Sequence, residues 1–276
     1  MTRSPDFIIV GAMKAGTTTI FRWLGNHPDC ALPSVKEPAF FALEDRWMRG
    51  TQWYNSLFPE EARVTGEASV SYTDPDRSGL AAQRISSTLP DVRLVFIARH
   101  PMERARSHYV HQVQRGRERR SFEAVMRVPD NPYLRRSHYF STLEPYIGLF
   151  APAQLFIAWF EELFAEDDTE WLRLLDYLGL GASGRPALTY NRSADRPILS
   201  SSGQWLADKG LHAVPSWVPT PVRSLARSLL IKESSPGMER LLSSATGEAA
   251  PSAAASMWED AHRFLEWAGS EQNRWQ

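Results

Sequence analysis

Lys14 lies inside a loop bracketed by Gly11 and Gly16. Before the loop stands a short apolar run, Phe7 to Val10. After it, Thr17 to Leu24 has apolar residues at helical spacing (Ile20, Phe21, Trp23, Leu24). A strand that passes through such a loop into a helix points the loop amides and the helix N-terminus at one spot, and that spot favours an anion. Three threonines, Thr17, Thr18 and Thr19, open the helix, where their hydroxyls can cap its first turn. The plain alternative is a strand-to-helix turn with a solvated lysine. The Mg-nucleotide loop G-x-x-x-x-G-K-[ST] has its lysine directly after the second glycine. Here Thr17 follows Gly16, so the glycine spacing is kept and the nucleotide pattern is broken. A second candidate anion site is Arg99-His100-Pro101, with Ser107 about two helical turns further on. A guanidinium can take two oxygens of one phosphate as a fork while a hydroxyl donates to a third. Taken alone, this arginine reads more readily as a surface salt-bridge residue than as an anion ligand.

The elements that must hold these residues alternate. Val64 to Glu67, Arg93 to Ala98 and Leu155 to Phe160 read as further strands, and 77–89, 102–114, 140–150 and 169–178 as helices. Residues 29–41 read as a loop around a short extended piece, and 44–62 as irregular to helical. Alternation through residue 180 predicts an α/β fold, a central parallel sheet flanked by helices in three layers. Ligands of such sheets bind outside the carboxyl ends of the strands, which predicts Lys14, Glu67 and Arg99 on one rim. Residues 115–138, with Arg115, Arg117, Arg119 and Arg120, read as a solvated polar face. Pro215, Pro219 and Pro221 rule out a long helix over 213–222. Residues 234–256, rich in Ser, Ala, Gly and Pro, read as a long loop or a partly disordered segment, and Met257 to Ala268 as a closing helix.

Composition narrows the class. With 276 residues, 43% hydrophobic and 23% charged, the chain is ordinary globular material. A formal net charge of −1 argues against a broad nucleic-acid-binding surface. The single cysteine, Cys30, precludes an intrachain disulfide and suits a reducing cytoplasm. No apolar run approaches a membrane span, no Cys/His cluster suggests zinc, and the start predicts no signal peptide. Most of the ten tryptophans are expected in the core. One domain over 1–276 is expected, with a nucleotide-binding core over about 5–180 and a helical or irregular extension over about 190–276.

Together the two anion sites resemble the paired signatures of sulfotransferases that use 3′-phosphoadenosine 5′-phosphosulfate. Lys14-Ala15-Gly16-Thr17-Thr18 is similar to their 5′-phosphosulfate loop, K-x-G-T-T. Arg99-His100-Pro101 with Ser107 is similar to their 3′-phosphate motif, R-[DN]-P with a serine eight residues after the arginine. Lys36-Glu37-Pro38-Ala39-Phe40-Phe41 resembles the K-E-P-x-F-F segment of the bacterial branch related to heparan sulfate sulfotransferase domains. Gly66 to Tyr72 resembles their G-E-x-[ST]-x-x-Y, Phe160-Glu161-Glu162-Leu163 their Y-E-D-L, and the end at Trp275 their closing tryptophan. His100 departs from Asp or Asn, and Ala68 stands where a lysine is common, which argues against a heparan-like acceptor.

The resemblance implies transfer of a sulfuryl group from the nucleotide to a hydroxyl, less readily an amine, of a small-molecule, glycolipid or carbohydrate acceptor, with no metal required. It implies Lys14 at the bridging oxygen and Ala15, Gly16, Thr17, Thr18 and Thr19 around the 5′-phosphate. It further implies Arg99 and Ser107 at the 3′-phosphate and Glu37 as the base. His27, His108 and Glu67 are candidate helpers, and Tyr72 and Tyr139 are expected on the acceptor side. The competing class is a small-molecule kinase with a divergent phosphate loop, which would need a lysine after Gly16 and Mg²⁺-binding acids. A non-catalytic nucleotide-binding scaffold is the third class.

Overall fold

Strands buried on both faces of a sheet read as near-continuous apolar runs, and parallel sheets are built from such strands. The computed structural model describes residues 3–186, 236–245, 251–270 and 274–275. Its strands are β1 (Phe7–Gly11), β2 (Cys30–Ala31), β3 (Val64–Ala68), β4 (Arg93–Ala98) and β5 (Leu155–Trp159). All of β1 and β3 is buried, as is β4 beyond Arg93. The five pair in parallel in the order β2-β3-β1-β4-β5. The expected α/β fold, one parallel sheet flanked by helices, is the fold observed.

Parallel neighbours require crossovers. These are supplied by α1 (Thr17–Leu24), α2 (Glu44–Trp47), α3 (Gly50–Asn55), α4 (Ser78–Thr88), α5 (Pro101–Gln114), α6 (Phe122–Met126), α7 (Pro132–Arg135) and α8 (Tyr139–Ile147). After β5 come α9 (Phe160–Leu163) and α10 (Thr169–Leu178), then α11 (Pro236–Ser244) and α12 (Pro251–Trp267). The connection through α4 carries the chain from β3 past β1 to β4. The strand order therefore reverses at β1, and the crevice of a doubly wound sheet opens at such a switch point, beyond the carboxyl ends. The loop after β1 stands there, flanked by the ends of β3 and β4.

The chain divides into two compact units. The first comprises 1–105, 132–190 and 255–276; the second comprises 106–131 and 191–254. The sheet belongs to the first. Its core holds an aromatic cluster in which Phe264 stacks on Trp275 (5.9 Å between centroids, 5°) and meets Tyr139 and Trp159 edge-on. Trp23, Trp159, Trp171 and Trp275 are buried, as expected of core tryptophans. Asp260 of α12 accepts from the Phe140 and Ser141 amides (2.9 Å each), placing a carboxylate at the N-terminus of α8, where it counters the helix dipole.

Two expectations are corrected, over 234–256 and at Phe160. Residues 234–256 contain α11 and the first turn of α12, because apolar residues recur at 238, 241, 242 and 245 and alanines fill 253–255. The polar stretch 115–138 keeps Arg117, Arg119 and Arg120 exposed, in line with a solvated face, and contains α6, capped by Ser121 accepting from the Ala124 amide, and α7. Phe160 begins α9 rather than ending β5. The proline stretch 213–222 lies outside the described residues. Among the described residues no helix is long and apolar enough to cross a membrane.

Candidate anion-binding active site

The loop between β1 and α1 is built by backbone conformations that few residues adopt. Lys14 (φ 72°) and Gly16 (φ 78°) are both left-handed. A Cβ on Gly16 would come within 2.9 Å of the Phe164 ring, so glycine is required there for space as well as for φ. A Cβ on Gly11 would fall 2.2 Å from Thr73 Oγ1, which donates to the Val10 carbonyl at 2.8 Å. Gly16 is the N-cap of α1, and no side chain caps it. The N-cap position is thus filled by a glycine rather than by one of the threonines. The first bonds of α1 run from the Thr19 and Ile20 amides to the Gly16 carbonyl (2.9 and 3.1 Å). The amides of Thr17 and Thr18 thus have no acceptor within the helix. Ala15, Thr17 and Thr19 have buried side chains, while Lys14 and Thr18 are partly accessible.

Arg99, the first residue after β4, reaches this loop directly. Its Nη1 donates to the Lys14 carbonyl at 3.1 Å, and its guanidinium lies 4.5 Å from the Phe160 ring centroid. Tyr139 donates from its hydroxyl to the Arg99 carbonyl at 2.8 Å. The Arg99 Nε is buried with no hydrogen-bond partner. Burial lowers the pKa of Arg99, opposed by Tyr139, Glu103 and Glu161. His100 completes the turn: its amide donates to Glu161 (2.8 Å), and its Nδ1 accepts from the Glu103 amide (3.3 Å). A histidine thus serves the turn in place of Asp or Asn. Ser107 lies half-buried on α5 in the second unit.

A second arginine reaches the loop without a motif to mark it. Arg104 is fully buried, and its Nη1 points at the Met13 carbonyl (3.5 Å), one residue before the carbonyl that Arg99 holds. Its sequence signal is its spacing. It falls three residues after Pro101 and four before His108, both buried, which puts a charge on the inward stripe of α5.

Glu67 is not on the rim. It lies inside β3 in register with Ile8, fully buried. Its Oε1 accepts from Tyr54 (3.0 Å) and Tyr72 (2.6 Å), and its Oε2 from Ser69 Oγ (2.7 Å). Ser69 Oγ in turn accepts from the Ala39 amide at 3.0 Å. Phe40 and Phe41 close over this cluster, Phe40 stacked on Tyr54 at 4.6 Å and Phe41 edge-on to Tyr72 at 5.7 Å. The inner side of the 36–41 segment is therefore pinned. Glu37 (φ 62°) stands on its outer turn, its side chain 42% exposed and paired with Lys36. Phe40 and Phe41 thus bury Glu67 and leave Glu37 exposed. Neither tyrosine guess holds: Tyr72 and Tyr139 are buried and bonded to Glu67 and to the Arg99 carbonyl. His27 is buried and committed at both nitrogens, to the Gly181 carbonyl (2.9 Å) and the Asp29 amide (3.2 Å). His108 is buried on α5 in the second unit, its Nε2 3.2 Å from the Gln112 side chain.

Burial raises the Glu67 carboxyl from 4.5 to about 7; bonds from Tyr72, Ser69 and Tyr54 oppose the rise, and Glu37 adds to it. The folded state then holds this proton more tightly than the unfolded chain does. Stability from Glu67 is full below about pH 4.5 and is lost as pH rises through about 7. The stability difference between wild type and Glu67→Gln should therefore fall by about 3 kcal/mol between those limits and stay flat above them. Urea unfolding across this range measures it, and parallel profiles for the two proteins would contradict it.

A sequence model described as the sulfotransferase domain matches residues 4–194. Heparan sulfate glucosamine 3-O-sulfotransferase 3A1 of Mus musculus is 30% identical over 186 residues, covering 64% of this chain and 46% of that protein. Heparan sulfate glucosamine 3-O-sulfotransferase 6 of Homo sapiens is 32% identical over 189 residues, covering 64% and 53%. The chain thus spans about half the length of these relatives. A solved sulfotransferase from Alicyclobacillus acidocaldarius is 25% identical with a TM-score of 0.60, over 78% of this chain and 98% of that one.

Proposed function

This chain belongs to the sulfotransferase family, and we propose that it moves a sulfuryl group from 3′-phosphoadenosine 5′-phosphosulfate to an acceptor hydroxyl. The acceptor class is a small molecule, a glycolipid or a carbohydrate, with an amine as the lesser alternative. One observation carries the reading. At the switch point of the sheet, a loop holding Lys14 and the open amides of α1 is gripped by Arg99, whose buried Nε has no partner. A buried unpaired donor is costly, and an anionic ligand would satisfy it. The kinase reading is not favoured by the family, and the lysine it needs after Gly16 is absent.

In this reading the Gly16, Thr17 and Thr18 amides and the Thr18 hydroxyl hold the 5′-phosphate, with Ala15 and Thr19 packing the loop from beneath. Arg99 and Ser107 take the 3′-phosphate. Lys14 donates to the oxygen that bridges phosphorus and sulfur. Glu37 accepts the acceptor's hydroxyl proton as the new S–O bond forms. The old S–O bond breaks, and its electron pair stays on the departing adenosine 3′,5′-bisphosphate beside the Lys14 ammonium. Glu67 touches no reactant and holds the Glu37 segment through Ser69. The whole chain acts as one catalytic domain with 190–276 as its extension. A reducing compartment, the cytoplasm, suits Cys30, a buried thiol whose pKa is pushed up to about 12 by burial and by Asp6.

Calorimetric titration of adenosine 3′,5′-bisphosphate without metal tests this. Wild type should bind, and Arg99→Ala should bind more weakly by about 1.5–3 kcal/mol, the range for a lost charged hydrogen bond. Failure of the folded wild type to bind would remove the donor site.

A further inference from the structure

Arg104 is a buried cation whose hydrogen bonds all go to neutral acceptors. Nε donates to Ser137 Oγ at 2.6 Å, Nη2 to the Tyr133 carbonyl, and Nη1 to the Met13 carbonyl at 3.5 Å. Ser137 Oγ itself donates to the Pro101 carbonyl at 2.8 Å, so the fork is fixed from both sides and cannot swing toward solvent. Among the described residues no carboxylate forms an ion pair with it. The charged groups that act on it, Arg99 and Arg136, are cations, and the other contributor is the Tyr139 hydroxyl. Arg136 has Asp74 as its partner, whereas Arg104 has no such answer. Burial lowers its pKa to about 10, which leaves it charged at neutral pH. Buried charges are normally paired, because removing an ion from water costs more than neutral hydrogen bonds return. A fixed, uncompensated positive charge directly under an anion loop is therefore incomplete without the anion.

The two arginines divide the loop between them. Arg99 holds the Lys14 carbonyl and Arg104 points at the Met13 carbonyl. With these two carbonyls drawn toward guanidinium groups, the intervening peptide is set in the left-handed turn at Lys14 that closes the cradle. Arg99 keeps an open Nε for a ligand. Arg104 acts on the ligand only through the loop and through its field.

We propose that Arg104 is a positioning residue for the anion loop, a locked buried charge that orients the Met13 peptide and whose counter-charge is the polyanion bound above it. This rests on the reading of the loop as the donor site, and the test separates the two. Melting temperatures of wild type, Arg104→Gln, Arg104→Met and Arg104→Lys are recorded against adenosine 3′,5′-bisphosphate and, separately, inorganic pyrophosphate. Sodium chloride holds the ionic strength constant. Wild type should gain stability from both anions. The two neutral variants should lose most of that gain and bind the bisphosphate at least tenfold more weakly, while their anion-free melting changes less than the gain they lose. Arg104→Lys, which keeps the charge, should stay within about threefold of wild type, a rescue that a purely structural role would not give. The proposal falls if a neutral variant keeps the full gain, if Arg104→Lys is as weak as Arg104→Gln, or if neither neutral variant folds even in saturating anion. If pyrophosphate stabilises wild type in an Arg104-dependent way and the bisphosphate does not, the donor reading fails and the role of Arg104 stands. If neither anion stabilises wild type, both fail.

Discussion

Glu37→Gln is expected to lower the rate of sulfuryl transfer by about 10²–10⁴-fold, the usual contribution of a positioned general base, and to leave bisphosphate affinity within about threefold. Glutamine matches glutamate in length and tolerates the same backbone, so the left-handed turn at residue 37 is kept. What is lost is the ability to accept a proton. Glu37 suits that task because it is reachable: 42% of its side chain is exposed, and it pairs with the adjacent Lys36. Glu67 does not suit it, since it is sealed behind Phe40 and Phe41 with three hydroxyl donors on its carboxylate. The measurement is transfer of ³⁵S from labelled donor to the best acceptor returned by a screen of phenols, amino sugars and glycolipids, with bisphosphate titration alongside. An unchanged rate would move the base elsewhere. A fall in rate matched by a fall in bisphosphate affinity would mean that residue 37 shapes the donor site instead.

The contrast between these two glutamates marks how far the sequence was legible. Strands buried on both faces and an amphipathic first helix leave strong periodic signals, and so β1, β3, β4, α1 and α10 stand where the spacing puts them. The turn between β1 and α1 was legible because Gly11 and Gly16 are constrained locally, by a close approach and by φ. The environment of Glu67 was not, because it depends on Tyr54, Ser69 and Tyr72, which meet it only after β3 pairs with β1 and the 36–41 segment folds over both. A five-residue strand with a carboxylate at its fourth position gives no sign that the carboxylate is internal. Arg104 was hidden for a related reason. Arginine on a helix usually faces water, and only its phase relative to Pro101, Ala105 and His108 shows that this one faces inward. His27 and Tyr139 show the reverse error. Each is a chemically capable side chain, and each is spent on a backbone carbonyl.

Lys14→Ala is expected to reduce transfer by about 10²–10³-fold, as when one preorganised donor to a developing anion is removed, with a smaller loss in bisphosphate affinity. The inequality follows from where charge changes. In the proposed ground-state complex the 5′-phosphate already has the amides of Thr17 and Thr18, which bond no carbonyl within the helix, and the field of α1. The bridging oxygen gains negative charge only as its bond to sulfur breaks, and the Lys14 ammonium is the group proposed to meet it there. An interaction that strengthens only in the transition state lowers the rate constant when lost, whereas uniform binding would shift affinity and leave turnover alone. The left-handed φ of 72° adds a complication, since alanine is no better suited to it than lysine. Lys14→Gly relieves that strain and Lys14→Arg keeps a cation, so the three variants separate backbone from charge. If charge is the cause, Lys14→Gly is as slow as Lys14→Ala and Lys14→Arg is faster than both. Single-turnover rates with labelled donor, read beside bisphosphate affinities, decide the matter. Equal losses in rate and affinity across the three would make Lys14 a uniform anion ligand and would assign stabilisation of the leaving group to the amides and to the buried charge of Arg104.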